Sequence, residues 1–358
     1  MYKKPSGVRI MAYTTIDDPS AFFNNIIYTG TGGTSTKSGV GFEPGLTYVK
    51  ARSATDAPVM YDQVRGATKR IKTSSSNAED TQSGAVTGWN ADGFTTGSGG
   101  DVNASSETYV AWNWKAGTSF TNDASSTSIG ATDSAGSVNN TAGFSICTYT
   151  GVGGTSTTIK HGLSTAPTVM LIKNRDQGDD WAVYHQGIGN THRLYLNLTD
   201  AKTSAIGTFR NTSPTSSIFT VGDHASVNIS GEKYVAYIFA EKQGYSLFGS
   251  YDANENVDGT FVYTGFTPAF VILKQSNLVR DWHMFDNKRS TFNAVGKYLR
   301  PNEAGSEDSG EEYLDFLSNG FKIKNTGNRF NDAGGTYTYY AWAEQPFVNS
   351  KGVPANAR

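Results

Sequence analysis

Pro167-Thr168-Val169-Met170-Leu171-Ile172-Lys173 is an apolar run that opens on a proline and closes on a lysine. Val and Ile in so short a run, bounded at both ends, read as a central β-strand. The same Pro-to-Lys separation of 6 positions recurs at Pro44–Lys50 and at Pro268–Lys274. Around Lys50 the chain reads Tyr48-Val49-Lys50-Ala51-Arg52, and around Lys274 it reads Val271-Ile272-Leu273-Lys274. A second anchor follows each strand: Met60-Tyr61-Asp62, Val183-Tyr184-His185 and Met284-Phe285-Asp286. A third closes each copy: Tyr109-Val110-Ala111-Trp112, Tyr234-Val235-Ala236-Tyr237 and Tyr339-Tyr340-Ala341-Trp342. Tyr-Thr-Gly precedes each copy at Tyr28, Tyr149 and Tyr263. Ordered anchors recurring at this scale mark an internal repeat.

Within each copy the hydrophobic period is two, as in Phe219-Thr220-Val221 and Phe321-Lys322-Ile323-Lys324, so half-exposed strands are expected. Turn residues separate the runs at Asn90-Ala91-Asp92-Gly93, Ser318-Asn319-Gly320 and Asp332-Ala333-Gly334-Gly335. The expected fold is all-β: three tandem antiparallel β-sandwich units of jelly-roll or lectin-like type. Residues 117–141 hold almost no bulky apolar side chain and read as a Gly/Ser/Thr-rich linker. The expected division is an N-terminal arm (1–23), unit 1 (24–116), the linker (117–141), unit 2 (142–250), unit 3 (251–347) and a tail (348–358), with unit 1 the more loosely attached. One helix signal stands out, with Asp18 as N-cap and Pro19 at the first helical position, carrying Phe22 and Phe23 as a lid or as an anchor for another protein. Trp112, Tyr237 and Trp342 fall at matching places in the closing strands and are expected in the core.

Composition bounds the function. The 358 residues include 40 Gly, 35 Ser and 41 Thr, with 12% aromatics and only 17% charged residues. A net charge of −2 provides no positive field for nucleic acid or an anionic membrane. The single cysteine, Cys147, excludes an intrachain disulfide and a cysteine-based zinc cluster. No apolar run reaches the length of a membrane-spanning helix, so no membrane insertion is expected, and residues 1–10 lack the apolar stretch of a secretory signal.

No catalytic constellation emerges. The five histidines, His161, His185, His192, His224 and His283, show no metal-ligand or triad spacing. The Gly-rich stretches at 28–33 and 149–154 lack the Gly-Lys-Ser/Thr ending of a phosphate loop and read as hairpin loops. Asp252, Asn254, Asn256 and Asp258 alternate like a calcium loop, but Val257 stands where that loop needs Gly and the closing Glu is missing. No cofactor or metal is therefore expected. The pairs Asp180-Trp181 and Asp281-Trp282 occupy equivalent places before the second anchor and are the candidate ligand-binding residues; the competing reading is a structural Trp beside a turn-forming Asp. The basic run 65–72 and the acidic run 303–312 read as solvated surfaces, or as complementary patches that meet across a subunit boundary.

Several segments together resemble a repeat family of uncharacterised, tail-fibre-like virion proteins of marine tailed bacteriophages. They are Met11 to Phe23, Tyr61-Asp62-Gln63-Val64-Arg65-Gly66, Tyr109 to Lys115, Trp282 to Asp286 and Tyr340 to Phe347. Met11 resembles the usual start of that family, which makes residues 1–10 an added peptide. The second copy departs from the pattern: His185 replaces Asp62 and Asp286, and no basic residue follows closely. The resemblance implies a lectin-like sandwich without catalytic residues, located on the virion as a tail fibre or tail-associated appendage. Its expected partners are other virion proteins and a host cell-surface glycan, with a homotrimer as the expected assembly. The alternatives are a capsid decoration or head-fibre protein and, further off, a glycan depolymerase acting through paired carboxylates.

Overall fold

The computed structural model describes residues 12–327 and 329–356; residues 1–10 and the choice between Met1 and Met11 as the start lie outside the described residues. The described chain is all-β, its helical content confined to turns such as Pro19–Ala21, Gly100–Asn103 and Ala225–Asn228. Twelve strands set the frame. They are β1 (Phe23–Thr29), β2 (Pro44–Ala51), β3 (Val59–Asp62), β4 (Thr108–Lys115), β5 (Phe144–Thr150), β6 (Val169–Asn174), β7 (Ala182–His185), β8 (Lys233–Phe239), β9 (Ser246–Asp252), β10 (Phe266–Gln275), β11 (Trp282–Asp286) and β12 (Thr336–Pro346). They lie in three antiparallel sheets with one recurring order, β1-β4-β2-β3, β5-β8-β6-β7 and β9-β12-β10-β11.

The pairing fixes which residues correspond. Lys50 lies opposite Val110, Lys173 opposite Val235, and Lys274 opposite Thr338. The third closing anchor is therefore Tyr337, two residues before the Tyr339 expected from the sequence. Tyr28 pairs with Tyr109, Tyr149 with Tyr234 and Tyr251 with Tyr337. These ring pairs stack at 5.2, 5.1 and 5.0 Å. Tyr251 thus takes the place expected of Tyr263, which instead ends the short strand Phe261–Tyr263 of another sheet. The counterpart of Trp112 and Tyr237 is Tyr340, and Trp342 corresponds to Trp114 and Phe239. The boundary expected at 250/251 falls inside β9.

The apolar runs of β2, β6 and β10 are continuous because both of their faces are buried. One face looks to a core private to each repeat: Val49 and Ala51 in the first, Met170 and Ile172 in the second, Val271 and Leu273 in the third. Small second sheets contribute to the same private cores through Phe94, through Phe219 and Val221, and through Leu314 and Phe321. The other face of all three sheets enters one shared core containing Leu46, Tyr48, Leu171, Tyr237, Phe270 and Ile272. At its centre Trp114, Phe239 and Trp342 sit mutually edge-on, with centroid separations of 6.0, 5.3 and 5.3 Å. Edge-to-face packing is the favoured aromatic geometry. Three equivalent rings meeting this way mark an approximate threefold axis. A closed apolar void of about 30 Å³ lies beside it.

Residues 117–141 are not a linker. Thr118–Asn122 and Ser134–Asn139 pair with each other, and the latter continues onto β5. Between them Asp123 caps a helical turn over Ala124–Thr127. An edge strand needs backbone partners more than bulky side chains. Gly136 is required by a close approach, since a Cβ there would stand 1.9 Å from the Ile146 carbonyl oxygen. The first repeat is not loosely attached either: Phe23, on the strand that follows the capped turn at Pro19, stacks on Phe270 and Trp342 of the third.

Candidate functional site

The polar groups buried between repeats follow the same threefold plan. At the seam of repeats 2 and 1, the Tyr237 hydroxyl donates to Asp62 Oδ2 at 2.6 Å. Asp62 accepts from Arg65 Nε at 2.5 Å, both side chains fully buried. Arg65 reaches Glu79 at 3.0 Å, and Glu79 also receives Arg175 of repeat 2 at 2.9 Å. The seam of repeats 1 and 3 repeats this chain of charges. Trp112 Nε1 donates to Asp286 at 3.1 Å, Asp286 holds Arg289, and Glu307 joins Arg289 to Arg52 of repeat 1. At the seam of repeats 3 and 2 the ion pairs are replaced. His185 meets the Tyr340 ring edge-on at 4.5 Å, and its Nδ1 accepts from Gly187 N at 2.9 Å. A backbone hydrogen bond closes each seam at the same place: Glu79 N to Arg175 O, Glu307 N to Arg52 O and Lys202 N to Ser276 O.

The basic and acidic runs each send one side chain into the ion pairs of these seams, Arg65 and Glu307. Arg65 is buried, Arg70 pairs with Asp80 and Asp101, and Glu307 binds arginines of two repeats within the one chain. Lys50, Lys173 and Lys274 turn their ammonium groups inward onto backbone carbonyls, including Ala304 O for Lys50 and Thr199 O for Lys274. Burial pulls each of these lysines down to about 8.

The candidate ligand residues lie here too. Trp181 and Trp282 are fully buried. Trp181 Nε1 donates to Lys72 O of repeat 1 at 2.9 Å, and Trp282 Nε1 to Tyr195 O of repeat 2 at 3.0 Å. Neither ring offers a free face on which a sugar could stack. Asp180 and Asp281 each accept from an asparagine, Asn197 and Asn302, whose own oxygen accepts the following Trp backbone N–H. These four residues form matching brackets between repeats and do not converge on a cleft. Trp112, Tyr237 and Trp342 are buried in the shared core. Asn254 and Asn256 accept backbone N–H groups of their own turn, and Asp258 pairs with Lys322. Among the described residues no group of three or more His, Cys, Asp or Glu side chains is placed to hold a metal.

A set of residues not singled out by the sequence completes each repeat. Asn103, Asn228 and Asn331 stand six positions before Tyr109, Tyr234 and Tyr337. Each asparagine is buried and ties a hairpin loop: Asn103 to Gly33 and Gly97, Asn228 to Gly153 and Gly222, Asn331 to Asn254 and Asn256. Each tyrosine hydroxyl accepts the N–H five residues upstream, at Ala104, Ile229 and Asp332.

Several ligand-sized concavities mark the surface, and one of them lies on the seam of repeats 1 and 3. A groove of about 580 Å³ is walled by Asn24 and Asn25 on β1, by Ala269, Asn287 and Lys288, and by the end of β12. The arm at 17–20 and the segment 349–354 form its rim. The rim is tied together by Asp17, which accepts from the Ser350 hydroxyl and from Ser350 N at 2.6 Å; the hydroxyl first and the N–H second hold the Asp17 carboxyl below its ordinary range.

The fold and seams define an all-β protein assembled from an internal repeat, its buried charges joining one repeat to the next. Residues 18–346 match a family described as a domain of unknown function (DUF7483), and the chain belongs to that family. No curated protein and no solved structure matches it.

Proposed function

We propose that the chain is a structural component of a bacteriophage particle that works by adhesion, as a tail fibre or tail-associated appendage contacting a host surface glycan or neighbouring virion proteins. The resemblance in its anchor segments supports the virion. The observation that carries adhesion is that the buried Asp, Arg and Glu groups are engaged in joining repeats, while a polar groove stands open at one seam. We also infer that each repeat is a β-sandwich of jelly-roll or lectin-like type. The recurring strand order and the second sheets over each private core support this. Immunogold labelling of phage particles tests the placement. Label along the tail is expected; label on the capsid moves the protein to the decoration or head-fibre role, and particles without label end the virion reading.

The internal threefold arrangement favours a second reading of the assembly. One chain already places three related sheets about an axis, which an assembly of three chains would otherwise supply. Sedimentation at the 38.4 kDa of a single chain supports that reading, and three times this mass supports the homotrimer.

A further inference from the structure

The threefold repeat gives the groove an internal control. Phe23, Phe144 and Ser246 lie opposite Trp114, Phe239 and Trp342, so the position two residues on is Asn25 in repeat 1, Ile146 in repeat 2 and Phe248 in repeat 3. Ile146 and Phe248 are buried in the shared core, where the fold asks for an apolar side chain. Asn25 is just as buried, at 1% exposure, and its Nδ2 has no hydrogen-bond partner among the described residues. A buried amide donor without an acceptor is destabilising, and an apolar residue at this place would avoid the cost. Asn25 lines the groove. Its orphan donor is closed to solvent as well as unpaired, and a molecule seated in the groove can supply a partner once the amide turns toward it.

The remaining lining narrows the class of that molecule. Gln345 supplies an exposed amide, which donates and accepts, while Asn24 and Asn349, whose amides also hold Val40 O and the Lys351 and Val353 N–H groups, add polar wall. Asp17, Asp18 and Glu344 face a single cation, Lys288, so the groove repels an anion. Phe23, Ala269 and Pro346 add apolar wall. About 580 Å³ lies within the range of small-molecule sites. We infer that this groove binds a neutral or amino sugar, whose vicinal hydroxyls pair with the amides and carboxylates and satisfy Asn25. This rests on the adhesion reading and gives it a place and a ligand class.

The test uses saturation-transfer NMR on the full chain with glucose, mannose, N-acetylglucosamine, glucosamine and, as an anion, N-acetylneuraminic acid. Transfer to at least one neutral or amino sugar is expected, with none to N-acetylneuraminic acid. Asn25→Ile, which installs the residue of repeat 2, is expected to weaken binding at least tenfold while leaving the unfolding midpoint unchanged or higher. Gln345→Trp, which crowds the exposed mouth, is expected to do the same and serves if Asn25→Ile does not fold. Binding that survives both substitutions, preference for the anionic sugar, or no transfer to any probe overturns the inference. Adhesion is measured separately, as retention of the full chain on host cells and on purified phage particles. Retention unaffected by both substitutions removes the groove and leaves adhesion standing, whereas a chain retained on neither ends the adhesion reading itself.

Discussion

The three seams use one geometric position with different chemistry, so matched substitutions should cost different amounts. The Tyr237 hydroxyl donates to Asp62 Oδ2 at 2.6 Å in a fully buried setting. Tyr237→Phe keeps the ring and deletes that bond. Hydrogen bonds to charged groups are worth about 1.5–3 kcal/mol. Asp62 keeps the Arg65 guanidinium and backbone N–H, so the loss stays within this range and below the about 3–5 kcal/mol of a broken buried ion pair. At the equivalent position Tyr340 sets its ring against His185 at 4.5 Å, and its hydroxyl donates to no carboxylate among the described residues. Tyr340→Phe keeps that ring contact and should cost no more than about 0.5–1 kcal/mol. Urea unfolding of both variants beside the wild type measures the difference as a shift in midpoint at constant slope. Equal costs, or a larger cost for Tyr340→Phe, would refute the assignment of a charged hydrogen bond to the Tyr237 seam and of none to the Tyr340 seam.

Arg65→Met leaves Asp62 buried without its cation and should destabilise the chain by about 3–5 kcal/mol, read from the same urea curves. Burial pushes His161 and His185 down to about 4 from an ordinary 6.5. The unfolded chain therefore binds more protons between those values. Their contribution is complete above pH 6.5 and lost as pH falls toward 4, by at most ~3 kcal/mol for each histidine; midpoints that stay flat from pH 7 to 4.5 would contradict this. Cys147 is buried and its thiol is pushed up to about 12, so iodoacetamide should label it only in denaturant, as followed by mass spectrometry.

The repeat was legible because its anchors are spaced by strand geometry, and the Pro-to-Lys distance is the same in all three copies. The two-residue slip in the third copy has a local cause. Tyr337-Thr338-Tyr339-Tyr340-Ala341-Trp342 offers tyrosines at both registers, and a two-residue shift keeps every side chain on its own face. The asparagine six residues before the tyrosine resolves it, since only Asn331 to Tyr337 matches Asn103 to Tyr109 and Asn228 to Tyr234. The seams were out of reach because their bonds join residues 174 and 175 positions apart. Asp180-Trp181 and Asp281-Trp282 drew attention as an acid beside an aromatic, and nothing local tells an indole pinned to a neighbouring repeat from one offered to a sugar. Asn25 carries a sequence signal only once the repeats are in register, as the polar residue where Ile146 and Phe248 are apolar.

Three sheets sharing one core cannot unfold independently, because releasing one exposes the inner faces of the other two. Differential scanning calorimetry of the full chain measures this directly. A single endotherm with a calorimetric-to-van't Hoff enthalpy ratio near 1 is what a shared core requires. Separate endotherms, or a ratio approaching about 3, would show three self-sufficient units and contradict the closed threefold arrangement around Trp114, Phe239 and Trp342.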